Sequence, residues 1–245
     1  KFDETAGVNF GDTSGNGVNL TAAAPINAAF LTLGVDGYAP GKKAAHFNSR
    51  PTNVAELFAS PSFSARLFGG FPVFYHPLLD KATILYHALS FSFWVTADTE
   101  PRRNQMIMHP NGPSGAFACE VMPGSITNDQ KIGLRFATYD GSVKLTSPAG
   151  FPVSAWHQVV VVYDGVSVRM YVDATLAAEQ ALGQLPGFSS ASALSFGGGW
   201  GGDGYVGGLC DVALWNRALS GTEIAQLYSQ QMAGVNLAAA PIAPS

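Results

Sequence analysis

The sequence predicts an all-β domain, a sandwich of antiparallel strands with one short C-terminal helix. Three observations carry that expectation. Short runs of alternating or β-branched residues recur along the chain, each bounded by turn residues. Gly numbers 28 and Pro 15 among 245 residues, which argues against a helical bundle. A single segment carries helix start signals and helical spacing together. The length suits one large all-β domain or two small ones. Residues 1–235 are expected to form a single domain, followed by an uncharged, Pro-containing tail over 236–245.

The strands follow in order. Leu89 to Val95 alternates Leu89, Phe91, Phe93 and Val95 against Ser90, Ser92 and Trp94. Val159-Val160-Val161-Val162-Tyr163 is a β-branched run, and Asp164-Gly165 separates it from Val166–Val172. Asp-Gly between two such runs favours a tight hairpin, because Gly supplies positive φ at no steric cost. In the second run Val166, Val168, Met170 and Val172 share one face, while Ser167, Arg169 and Tyr171 share the other. Val35-Asp36-Gly37 and Tyr139-Asp140-Gly141 give further turns. Ser220-Gly221-Thr222-Glu223 fits a capping box, and Ile224, Leu227 and Tyr228 then fall on one helical face. That helix should end near Gly234. Beyond it, Pro241 and Pro244 bar further helix, leaving an extended arm or a disordered end.

Composition excludes some functions. Charged residues make up only 12% of the chain, about half the usual share. A formal net charge of -4 provides no cationic surplus for nucleic acid. No apolar run reaches the length of a membrane span. Cys119 and Cys210 both sit in apolar runs. They read either as two buried hydrophobes or as one disulfide between neighbouring strands, and no Cys-x-x-Cys suggests zinc.

Several segments together resemble one family. Phe2-Asp3-Glu4-Thr5 with Asp12-Thr13-Ser14-Gly15-Asn16-Gly17, Gly41-Lys42-Lys43-Ala44-Ala45-His46-Phe47 and Phe91-Ser92-Phe93-Trp94-Val95 stand in its order. So do Trp156-His157-Gln158-Val159-Val160, Met170-Tyr171-Val172-Asp173 and Gly207-Gly208-Leu209-Cys210-Asp211-Val212-Ala213-Leu214-Trp215-Asn216-Arg217-Ala218-Leu219-Ser220. They are similar to the laminin-G-like jelly rolls of the concanavalin A-like lectin/glucanase superfamily. Departures are Ala174 where the hairpin usually has Gly, Cys210 for Ile and Val212 for Glu. The resemblance implies an antiparallel two-sheet jelly roll, and an extracellular, cell-surface or virion-surface location. It leaves function open among carbohydrate binding, adhesion, structural assembly and glycan cleavage.

Candidate sites fall into three groups. Asp12, Ser14 and Asn16 alternate before Gly17, as oxygen ligands for Ca²⁺ do, with Asp211 or Asp3 as a further ligand; the alternative is an Asx-turn on Asp12. Gly197–Tyr205 places Trp200 among glycines beside Asp203 and Tyr205. Trp200 either stacks on a sugar or folds back on the sheet edge. Arg103, His109 and Asn111 are expected on connections around a Gln105–His109 strand, where they would line the same rim. The third group is the aromatic, charge-poor stretch Ser62–Tyr86. It reads as a long loop that either covers its own sandwich or, with the tail, docks another chain. For catalysis, the glucanases of the superfamily place carboxylates as Glu-x-Asp-x-x-Glu. None of the six Glu residues here has Asp two positions later. The lyase strands and a Gly-x-Ser-x-Gly elbow are absent as well. The expectation is a noncatalytic recognition module for a glycan or surface protein, with a structural component of a larger assembly as its rival.

Overall fold

A computed structural model describes residues 4, 6, 9–10, 20–22, 31–48, 67–70, 88–99, 105–111, 117–123, 129–136, 143–147, 150–181, 193–197, 203–215 and 217–235. Among them the chain forms strands β1 (Asn9–Phe10), β2 (Leu20–Ala22), β3 (Leu31–Asp36), β4 (Lys43–Asn48), β5 (Leu67–Gly70) and β6 (Leu89–Ala97). It continues with β7 (Gln105–Asn111), β8 (Phe117–Pro123), β9 (Asp129–Phe136), β10 (Val143–Thr146), β11 (Phe151–Pro152) and β12 (His157–Tyr163). Strands β13 (Ser167–Val172), β14 (Thr175–Ala181), β15 (Ala193–Phe196), β16 (Asp203–Gly204) and β17 (Val206–Trp215) precede helix α1 (Gly221–Met232).

Two sheets result. The first runs β1-β2-β5-β15-β7-β8-β9-β10, with β11 added beside β9 and β16 beside β7. The second runs β14-β13-β12-β6-β17-β4-β3. The described pairs are antiparallel except β16 with β7. The core lies between the sheets, where Phe47, Phe93, Val95, Val161, Met170 and Leu209 meet Ile107, Cys119, Val121 and Phe196. This is the two-sheet architecture expected from the strand pattern.

Central strand β6 is buried along nearly its whole length, on both faces. Phe91, Phe93 and Val95 point into the core. On the other face, α1 covers the second sheet by packing Leu219, Ile224 and Leu227 on Val160 and Val162. The capping box forms as read: Glu223 N–H donates to Ser220 Oγ, and Ser220 N–H donates to the Glu223 carboxylate. Arg217 beside that carboxylate holds it down at about 2. Gly234, at φ +74°, follows the helix end as predicted.

Some expectations need correction. Val166 is not on the inward face of β13; it lies in the turn and is exposed, while Val168, Met170 and Val172 are buried. Asp164 organises that turn by accepting from the N–H groups of Val166 and Ser167. The 62–86 stretch is not loop throughout. Its Leu67–Gly70 segment is β5, paired on one side with β2 and on the other with β15. The rest of that stretch, and the tail over 236–245, lie outside the described residues. Cys119 and Cys210 are both buried and form no disulfide. Cys119 faces the core from the first sheet. Cys210 pairs directly with Trp94, on the face of the second sheet turned away from it.

The hairpin between β13 and β14 turns on Asp173 (φ 49°) and Ala174 (φ 62°). Both central residues of such a turn need the left-handed region, where Ala carries a Cβ penalty. Ala174→Gly is therefore expected to stabilise the domain by about 0.5–1 kcal/mol and raise its melting temperature by about 1–4 °C. A thermal melt of the variant checks it, and an unchanged or lowered midpoint would show that packing of the Ala174 methyl outweighs the strain.

Candidate functional site

The polar groups of the second sheet divide into those locked inside and those presented at one end. Asp211 belongs to the first kind. It sits at φ 46° within a bulge of β17 between Cys210 and Ala213. Its Oδ2 accepts from Tyr38 Oη at 2.6 Å and from Lys42 Nζ at 3.0 Å, with both members of the ion pair largely buried. Burial, then the Asp211 carboxylate, drives the Tyr38 hydroxyl far above its ordinary range. An ammonium group already occupies the position a cation would take, so Asp211 is not a calcium ligand. Asp12 and Asn16, the other predicted ligands, lie outside the described residues. No group of three His, Cys, Asp or Glu among the described residues could hold a metal ion.

Tyr205 is also internal. It is fully buried, and its hydroxyl donates toward the carbonyl oxygens of Thr96 and Gly208 at 2.7 and 2.9 Å. Predicted as a ligand contact, it is instead a core residue tying β6 to β17.

Around Tyr205 the ends of several strands meet. Its backbone N–H donates to Gly197 O, and Gly197 N–H donates to Ile107 O. Gly197 beside Ile107 and Asp203 paired with Gln105 thus stand against the same strand, β7. Gln105 Oε1 accepts from Val206 N–H, and Asp98 N–H donates to Val206 O. Gly197, Asp203, Gln105, Val206 and Asp98 therefore lie at one end of the molecule. Trp200 falls in the interval between Gly197 and Asp203, outside the described residues. Arg103 lies two positions before Gln105 and is outside them too.

His109 and Asn111 belong to β7, not to the connections around it, and pair with Ser195 and Ala193. Six positions separate Asn111 from Gln105, about 20 Å of backbone. His109 stands nearer, two positions from Ile107, whose carbonyl accepts from Gly197. The structure does not bring the backbone of Asn111 to the Asp203 rim.

It places other residues there instead. Asp98, at the end of β6, presents a half-exposed carboxylate to His46 of β4, whose Nε2 stands 3.0 Å from both oxygens. Ser154, at φ 63°, holds the Asp98 backbone: its N–H donates to Ala97 O and its Oγ to Asp98 O. Between His46 and Thr96 lies Gly208, paired with both. A Cβ on Gly208 would stand 2.5 Å from Cη2 of Trp156, so glycine is what lets the indole edge settle on β17. A Cβ on Gly207 would come within 1.8 Å of the Thr96 carbonyl oxygen. The two glycines read from sequence as a motif are thus required by close approach. His46 and Asp98 are 52 positions apart, and no local spacing announces them.

The hydrogen bond to Asp98 raises the His46 imidazole above its ordinary 6.5, against a smaller opposing effect of burial. A raised folded value means that the pair stabilises the fold fully below pH 6.5 and loses this as pH rises through the folded value. His46→Gln should accordingly lower the melting temperature more at pH 6 than at about pH 8. A difference that grows with pH would contradict the ion pair.

A laminin-G family model described as concanavalin A-like lectin/glucanases superfamily matches residues 77–225, more than half of the chain. No curated protein matches the sequence. Among solved structures, the receptor binding domain of botulinum neurotoxin D is similar at a TM-score of 0.62 and 12% identity, over 94% of this chain and 54% of that one. Domain 4 of an extracellular arabinanase from Geobacillus stearothermophilus is similar at 0.59 and 13%, over 89% and 93%. A botulinum neurotoxin type C structure is similar at 0.58 and 13%, over 94% and 52%. The chain spans about half the length of the neurotoxin chains it matches. At these identities the likeness is one of fold. With the family model spanning β6 through the start of α1, this chain belongs to the concanavalin A-like lectin/glucanases superfamily as a laminin-G-like member.

Proposed function

We propose that the domain is a noncatalytic recognition module that binds carbohydrate on an extracellular or surface-borne partner. The observation that carries the reading is the loop base at Gly197 and Asp203. Gly197 and Asp203 stand at one end of the sandwich, with Trp200 and four glycines between them in sequence, near the partly exposed His46 and Asp98. An aromatic ring next to a carboxylate suits a sugar, whose apolar face stacks while its hydroxyls donate hydrogen bonds. Two structural relatives support the reading. The arabinanase domain was solved in complex with arabinotriose, and cell entry of neurotoxin type C depends on interaction with two ganglioside molecules. No helix among the described residues is long and apolar enough to cross a membrane.

The rival reading, a structural component of a larger assembly, rests on the 62–86 stretch and the tail. The incorporation of Leu67–Gly70 into the first sheet favours a role for that part within its own domain. A structural calcium at Asp12 and Asn16 belongs to the proposal, without Asp211.

Two measurements test this. On a glycan array including arabinotriose and ganglioside sugars, the domain should bind as a monomer, and Trp200→Ala should weaken binding by about 1–3 kcal/mol, the scale of one aromatic contact, without altering the melting temperature. An empty array with a stable oligomer would favour the structural role. For calcium, EDTA should lower the melting temperature, and Asp12→Ala should abolish that sensitivity, because a ligand bound only by the folded state stabilises it by mass action. Indifference to chelator would leave Asp12 as an Asx-turn.

A further inference from the structure

We infer that the His46–Asp98 pair, with the edge of Trp156 beside it, is a second subsite at this end of the sandwich, one that binds the hydroxyl groups of an uncharged saccharide. This rests on the carbohydrate-binding reading and assigns it residues on the second sheet, where the sequence singled out none.

The geometry supports a built site. Asp98 is fixed through its backbone by Val206 and Ser154, so its carboxylate is held in place while 40% of the side chain remains exposed. A single imidazole nitrogen is shared between Oδ1 and Oδ2. Each carboxylate oxygen accepts two hydrogen bonds, which leaves acceptor capacity facing solvent. A sugar hydroxyl donates to such a group in a charge-assisted bond. The imidazole orients the carboxylate through its contact with both oxygens.

The apolar half of the subsite lies in the next position along the same row. Gly208 pairs with His46 on one side and with Thr96 on the other, so the indole edge over Gly208 stands about one strand spacing, roughly 4.8 Å, from the His46 backbone. Trp156 is partly exposed. Beneath it Thr96 is nine-tenths buried, and its hydroxyl has no hydrogen-bond partner. An apolar edge flanked by an exposed carboxylate and an imidazole fits a ring that is apolar on one face and rimmed with hydroxyls. The carboxylate also selects by charge. A uronate or sialic acid would meet Asp98 as a like charge, whereas a neutral sugar meets only acceptors and a shared donor.

The test uses the whole domain with a panel of arabinotriose, maltotriose, cellotriose and lactose, against trigalacturonate and sialyllactose. Asp98→Asn and His46→Gln should each weaken binding of the preferred neutral sugar by about tenfold, the scale of losing a hydrogen bond to a charged group. On the unmutated protein, the same sugar should shift the His46 ring resonances in NMR and leave those of His157 in place. His157 is engaged with Asp173 at 2.8 Å and serves as the internal control. If a sugar binds and Trp200→Ala abolishes binding, yet both variants stay within about twofold and the His46 resonances do not move, this subsite is overturned and the recognition reading stands. Preference for the anionic sugars overturns it as well. If nothing on the array or the panel binds, the recognition reading itself fails. Should either variant unfold, the resonance shifts on the unmutated protein decide.

Discussion

The structure depends on how α1 and Tyr38 close over the outward face of β6. A strand covered on both faces leaves no water for its polar groups, so each needs a partner within the protein. Trp94 meets that demand. Its indole N–H donates to Gln231 Oε1 at 2.8 Å, and the same oxygen accepts from Gln158 Nε2. The ring stacks on Tyr38 with centroids 3.9 Å apart and on Tyr228 at 5.6 Å. Gln231 and Tyr228 belong to α1, so one side chain of β6 fixes where the helix lies. Tyr38 extends the chain of contacts to Asp211 and Lys42, which joins the β3–β4 turn to the bulge in β17. The left-handed backbone of Asp211 follows from aiming its carboxylate at that phenol and ammonium. Removing one member of such a buried pair leaves the other charge uncompensated, so the network holds together or fails together.

This network also separates structural polar residues from those available for recognition. Asp211 and Tyr205 were both candidates from sequence, and Gln105 begins strand β7. Each is consumed by a specific internal partner. Asp98 differs because its backbone, rather than its carboxylate, is what the fold uses. Its N–H and C=O tie β6 to β17 and to Ser154, and the side chain is left facing solvent with His46. The same strand end therefore provides both rigidity and an exposed charge.

Local chemistry was legible in the sequence and long-range pairing was not. The capping box at Ser220, the shared face of Val168, Met170 and Val172 (though not Val166), and the Asp-Gly turn were legible because each depends on residues within a few positions. The alternation in β6, with serines and a tryptophan opposite its phenylalanines, says nothing of what covers the second face. The helix more than a hundred residues later explains its full burial. The distance of Asn111 from Asp203 follows from β16 joining the start of β7, a parallel contact with no local signature. His46 drew no notice as a site residue, since its partner Asp98 lies 52 positions away on another strand. Gly207 and Gly208 were seen as a motif, but their necessity comes from Thr96 and Trp156 across the sheet.

These constraints direct where recognition can occur on the second sheet. Its inner face is filled by the core, and most of its outer face lies under α1 and Tyr38. A ligand can reach that sheet only at its edges and at its strand ends. Along edge strand β14, Glu179 is engaged with Arg169, which also reaches Asp164, in a surface ion-pair chain. The strand ends near Asp98 are different. There the covering stops one row beyond Trp94, at the positions of His46, Gly208 and Thr96, and a partly exposed indole begins. Gly197 and Asp203 of the opposite sheet stand at the same end. Rigid strands thus bring residues from both sheets to one rim without requiring either face of the second sheet to be uncovered, and this is the arrangement by which a tightly packed sandwich supports a binding surface.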